Sequence, residues 1–103
     1  MMRLLACCVL LLVSMVAMLP QDRAEAAGAR ECDLYARRAV QQYQLTQMAR
    51  FARRCGVAPS PRWQASYQNH NGWCLTAPRA WLKSEEGARD RHLYKCGAQV
   101  RFD

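Results

Sequence analysis

Between Glu31 and Cys55 the residues Cys32, Ala36, Ala39, Val40, Tyr43, Gln47 and Phe51 fall within about 100° on a helical wheel, with Gln47 the one polar interruption. The spacing predicts one amphipathic helix over this stretch. Glu31 and Asp33 stand in its first turn and Arg53 and Arg54 in its last, each set complementing the helix dipole, and Gly56 follows as the expected left-handed terminator.

A second stripe runs through Trp63, Tyr67, His70 and Trp73/Cys74, at spacings of four, three and three or four. Ser60 before Pro61 matches an N-cap followed by a first-turn proline, so a second helix is expected from Pro61 to about Cys74. Asn69, Asn71 and Gly72 weaken its end, Gly72 alone by around 1 kcal/mol against alanine. The competing reading is a loop tied down by two tryptophans. Thr76 and Pro78 repeat the cap-and-proline signal, predicting a third helix from Ala77 to Lys95 with Trp81, Ala88 and Leu93 inward or partly so. Glu85 and Arg89, four apart, are expected as an exposed pair worth about 0.3 kcal/mol. Gly97 follows Cys96 as Gly56 follows Cys55, a loose internal duplication.

Ahead of these elements Arg3 is followed by an uncharged run from Leu4 to Leu19, then Pro20 and Ala24-Glu25-Ala26. This is the pattern of a secretory signal with cleavage near Ala26, leaving a small disulfide-stabilised helical domain over 27–103. An uncleaved anchor is the alternative, but the apolar run falls short of the roughly 17–25 residues that span a bilayer.

Cys7 and Cys8 lie in the signal, so the mature chain keeps Cys32, Cys55, Cys74 and Cys96, an even set in an exported protein, where disulfides form and persist. A continuous helix separates Cys32 from Cys55 by about 35 Å, far beyond the ~4.4–6.8 Å of bridged Cα atoms. Two pairings remain. An up-down-up three-helix bundle gives Cys32–Cys74 and Cys55–Cys96, whereas a helical hairpin with an irregular connection gives Cys55–Cys74 and Cys32–Cys96. The stripe on Trp63, Tyr67, His70 and Trp73 favours the first. The expected fold class is therefore all-α: a small three-helix bundle, or helical hairpin, stapled by two disulfides.

Thirteen Arg and Lys against six Asp and Glu leave the mature chain at +7, the value of all 103 residues. The surplus suits anionic partners but says nothing of fold. Candidate chemistry is sparse. His70 precedes Cys74 by four residues and His92 precedes Cys96 by four, so two His and two Cys are conceivable zinc ligands, yet oxidised cysteines cannot serve as thiolates. No metal and no cofactor are expected. His70 reads instead as a core-edge histidine donating to a nearby acceptor, and His92 as exposed. No serine sits in a Gly-x-Ser-x-Gly elbow, and Glu85 and Glu86 are adjacent and point apart. The chain is therefore expected not to be an enzyme. Trp63, Tyr67, His70, Trp73 and Trp81 are read as packing residues.

Cys32-x-x-Tyr35-Ala36-x-x-Ala39-Val40-x-Gln42, Cys55-Gly56, Arg62-Trp63, His70-x-x-Trp73-Cys74-Leu75 and a final Cys96 together resemble small exported bacterial four-cysteine helical domains of uncharacterised function. The resemblance covers about residues 31–96 and implies no catalytic or binding residues. The expectation is an exported, periplasmic or extracellular module of the cell envelope, structural or binding in role. Its partner is unknown, an anionic envelope component or another envelope protein being the expected kinds, and no nucleic acid. The alternative is a basic membrane-active or host-directed effector peptide that binds anionic surfaces.

Overall fold

The structure is a computed structural model and describes residues 26–98. The expected signal lies outside them except for Ala26, as does the tail after Ala98. Four helices follow in order: α1 Ala29–Gln47, α2 Ala49–Cys55, α3 Tyr67–Thr76 and α4 Arg79–Cys96. An isolated antiparallel bridge between Ala26 and Pro78 ties the start of α1 to the start of α4. No described helix is long and apolar enough to cross a membrane.

Two disulfides staple these helices, Cys32–Cys74 with Cα atoms 5.5 Å apart and Cys55–Cys96 at 5.3 Å. This is the pairing that the aromatic stripe favours. Three cross-links share one sequence offset: Glu31 with Arg79, Arg38 with Glu86, and Gln42 with Asp90 are each 48 residues apart. A constant offset means that α1 and α4 run parallel and in register. Between them α3 lies across the start of α1, its Tyr67, His70, Trp73 and Cys74 all meeting residues 32–35.

Several expectations need correction. The first helix is not continuous to Cys55. It breaks at Met48, whose ψ of 137° is extended and whose N–H reaches only Leu45 O. Thr46 Oγ1 donates to Tyr43 O at 2.6 Å, so a buried side chain competes for backbone acceptors where the ladder ends. The break redirects α2 toward the end of α4, where Cys55 finds Cys96. The buried face of α1 is also rotated from the expected stripe: Tyr35, Gln42 and Thr46 are inside with Cys32, Ala36 and Ala39, while Gln47 is exposed.

The second helix starts at Tyr67 and not at Pro61. Ser66 is its cap, the side chain accepting from Asn69 N–H at 3.2 Å. Ser60 closes a separate turn, its hydroxyl and carbonyl both accepting from Trp63 N–H at 3.1 Å. Trp63 is thus on the connecting loop, and Tyr67, His70 and Cys74 alone share the helix face. The helix passes through Gly72 to Thr76, so Thr76 ends α3 and does not cap α4. Its hydroxyl turns back onto Gly72 O and Trp73 O. Trp81 is 58% exposed, against the expectation that it packs inward.

Gly56 has φ −54° and is no left-handed terminator, whereas Gly97 has φ 89° and is one. The two glycines that suggested a duplication answer different needs. At Gly56 a Cβ would lie 2.4 Å from Ala52 O, so the residue is required by close backbone approach.

The core has two apolar clusters, each built on a disulfide. Ala27, Tyr35, Ala77 and Leu82 pack around Cys32–Cys74; Trp63, Leu93 and Ala98 pack around Cys55 with Tyr43, Leu45, Phe51, Val57 and Cys96 at the edge. Between them along α1 and α4 lies a polar layer, Gln42 and Arg89, both fully buried.

Candidate functional site

A cleft of about 730 Å³ opens between the 60–64 loop, α1, α3 and α4. The Ser60–Trp63 turn sets one wall, with Ser60 N–H donating to Trp63 O at 3.0 Å and so closing the loop from both ends. Gln64 continues that wall, its Nε2 donating to Pro61 O at 2.9 Å and its Oε1 accepting from Asn69 Nδ2 at 2.7 Å. His70 Nε2 lies 2.9 Å from Gln64 O. A carbonyl can only accept, so Nε2 carries the proton and Nδ1 is left as an acceptor.

Four rings belong to this cleft: Tyr35, Trp63, His70 and Trp73. Tyr35 meets His70 edge-on at 6.4 Å and Trp73 in a tilted arrangement at 5.6 Å, distances at which aromatic pairs attract. Trp63 meets His92 edge-on at 5.1 Å. Tyr35 and His70 are buried, while Trp73 is 36% exposed and presents the most accessible ring of the four. Arg62 and Glu85 form a two-pronged ion pair at the rim, Nε to Oε2 at 2.8 Å and Nη2 to Oε1 at 3.0 Å. Glu85 is thus taken by Arg62, and the expected exposed pair with Arg89 does not form.

Arg89 instead lies beneath the cleft, fully buried. Its Nε donates to Gln42 Oε1 at 2.6 Å, Gln42 Nε2 donates to Asp90 Oδ1 at 2.6 Å, and its Cζ sits 5.1 Å from the Tyr35 ring centroid. Nη1 and Nη2 have no hydrogen-bond partner among the described residues. A buried guanidinium is costly to desolvate, and the ring face and the amide relay to Asp90 offset part of that cost.

The electrostatics follow from these contacts. Burial lowers the His70 pKa, the Gln64 hydrogen bond works against that fall, and the Arg89 charge adds to it. His70 is neutral at neutral pH. The hydrogen bonds from Arg62 lower the Glu85 pKa, with the Arg62 and Arg89 charges acting in the same sense. Burial raises the Tyr35 pKa, and the neighbouring Arg89 opposes the rise. The bond to Asp33 raises that of Tyr67.

Of the residues singled out in the sequence, Trp63, His70 and Trp73 meet at the cleft, whereas Tyr67, held by Asp33, and Trp81 are not part of its lining. The two His–Cys pairs go to opposite disulfides. His92 is half-buried and not exposed, its Nε2 lying 2.8 Å from Cys55 O. The sequence reading passed over Arg89, Glu85 and Arg62 as site residues, because a charge on a helix reads as solvated. Tyr35 and Gln42 were within reach, since both belong to the Cys32 motif. No family model, no curated protein and no solved structure matches this chain.

Proposed function

We propose that the chain is an exported, non-catalytic binding module of the cell envelope, with the aromatic cleft as its recognition site. The observation that carries this is a ring-lined cleft held open by a rigid frame: Tyr35, Trp63, His70 and Trp73 around one concavity, fixed by the Cys32–Cys74 bridge and the Ser60–Trp63 turn. Concave sites with aromatic walls and a few fixed polar groups are where small ligands bind. The two disulfides fit an oxidising periplasmic or extracellular setting. The resemblance to exported four-cysteine helical domains points to the same compartment.

The site chemistry favours binding over catalysis. All four mature cysteines are bridged, so none offers a thiolate. Glu85 is held ionised by Arg62, which removes a general acid, and His70 has one nitrogen committed to Gln64. The test is titration of the oxidised protein with a solubilised peptidoglycan digest, followed through the tryptophan indole N–H resonances. Shifts at Trp63 and Trp73, with Trp81 unmoved and with loss of binding in Trp73→Ala, support the reading. Shifts confined to Trp81, or no shift at any tryptophan, count against it for an envelope glycan ligand.

A further inference from the structure

Charge on this fold is segregated. The described residues hold five carboxylates, and all are engaged along the α1–α4 flank: Asp33 with Arg37, Glu86 with Arg38, Glu85 with Arg62, Glu31 with Arg79, and Asp90 with Gln42. Among the described residues, the end of the molecule formed by α2 and the last turn of α4 has none left. There Arg50, Arg53 and Arg54 on α2 and Lys95 on α4 are exposed, with Arg91 one turn behind Lys95, and none forms an ion pair with a described residue. The remaining exposed cations without a carboxylate partner, Arg30 and Lys83, are elsewhere on the fold.

The arrangement is fixed by covalent and polar links. Cys55–Cys96 joins the two helix ends, His92 Nε2 lies 2.8 Å from Cys55 O, and Arg54 and Lys95 line one shallow depression with Tyr94 and Gly97. Arg50 and Arg54 are four apart on one helix, as are Arg91 and Lys95 on the other. Like charges at that spacing repel, and the dipoles of the two helix C-termini, where Arg53, Arg54 and Lys95 stand, offset part of that cost.

We infer that this pole docks onto the surface of an anionic phospholipid bilayer. Charge complementarity calls for an anionic partner, and the apolar groups set among the cations select the lipid. Tyr94 is 69% exposed and Met48, at the head of α2, is 43% exposed. A soluble polyanion would leave both in water, whereas a headgroup layer takes up an amphipathic ring and the alkyl stems of arginine and lysine. The pole is separate from the aromatic cleft, so either can fail without the other.

The experiment measures partition of the oxidised secreted protein onto phosphatidylglycerol–phosphatidylcholine vesicles, with pure phosphatidylcholine as reference. Binding should need the anionic lipid and weaken steeply with added salt. Each basic residue near such a surface contributes about 1 kcal/mol, so Arg50→Gln/Arg54→Gln should bind about 30-fold more weakly. Arg30→Gln/Arg37→Gln, with the same change in net charge, should bind within a few-fold of the parent. Circular dichroism and non-reducing mass mapping establish that each variant is folded and correctly bridged. Equal loss in both variants, equal binding to neutral vesicles, or binding to heparin or single-stranded DNA without binding to vesicles overturns the inference.

Discussion

Arg89 Nε donates to Gln42 Oε1 across 2.6 Å with both side chains fully buried, and this single bond anchors the only buried guanidinium among the described residues. Removing its partner strands a desolvated charge, whereas removing the charge does not. Gln42→Leu should therefore cost on the order of 3 kcal/mol in denaturant unfolding, and Arg89→Met clearly less. The double variant should recover much of the loss of Gln42→Leu. Additive losses would show that the two residues are not coupled.

The disulfides should separate in reactivity but not in the scale of their contribution. They span 42 and 41 residues, so each should stabilise the fold by about 4 kcal/mol through loss of freedom in the unfolded chain. Cys32 and Cys74 are fully buried, whereas Cys96 is half-buried. Under limiting reductant Cys55–Cys96 should open first. Differential alkylation with peptide mapping reads the order, and earlier labelling of Cys32 and Cys74 would contradict it.

Acid should weaken the fold in two steps. The folded His70 pKa is lowered by burial, so its contribution is complete above the unfolded value near 6.5 and falls away as pH drops below it. The folded Glu85 pKa is lowered by Arg62, so its contribution is present above the unfolded value of about 4.3 and is lost as pH falls through the folded one. Glu85 is partly solvated, which limits the second step. Stability measured from pH 7 to pH 5 should lose most of its slope in His70→Gln, and an unchanged slope would assign the upper step to another group.

The helical class was legible in the sequence because it rests on a local rule, apolar spacing. Of the stripe that favoured the Cys32–Cys74 pairing, Tyr67, His70 and Trp73 do lie on α3 against the start of α1. The exclusion of Cys32–Cys55 was argued from a continuous helix, which the break at Met48 interrupts. What was not legible is long-range and polar. The helix break at Met48 has no proline or glycine to announce it, and it follows from where Thr46 and Cys55 must go. Arg89 looks in sequence like Arg91, two positions on, and only the 48-residue register between α1 and α4 puts it opposite Gln42. Ser66 displaced Ser60 as the cap because the turn at Ser60 consumed that hydroxyl on Trp63.

The three tryptophans, alike in the sequence, should behave differently when truncated. Trp63 is 8% exposed and packs with Cys55, Leu93 and Ala98, so Trp63→Ala removes the largest side chain of its cluster and should cost about 3–5 kcal/mol. It also frees the edge contact with His92, so the His92–Cys55 link should loosen and amide exchange should quicken at the end of α4. Trp81 is mostly in water, and Trp81→Ala should stay within about 0.5 kcal/mol of the parent. Trp73→Ala should fall between, since its ring packs on Tyr35 but leaves a face open to the cleft. Urea unfolding of the three variants with disulfides intact gives the ranking, and a loss at Trp81 equal to that at Trp63 would mean that its exposed ring is covered in solution.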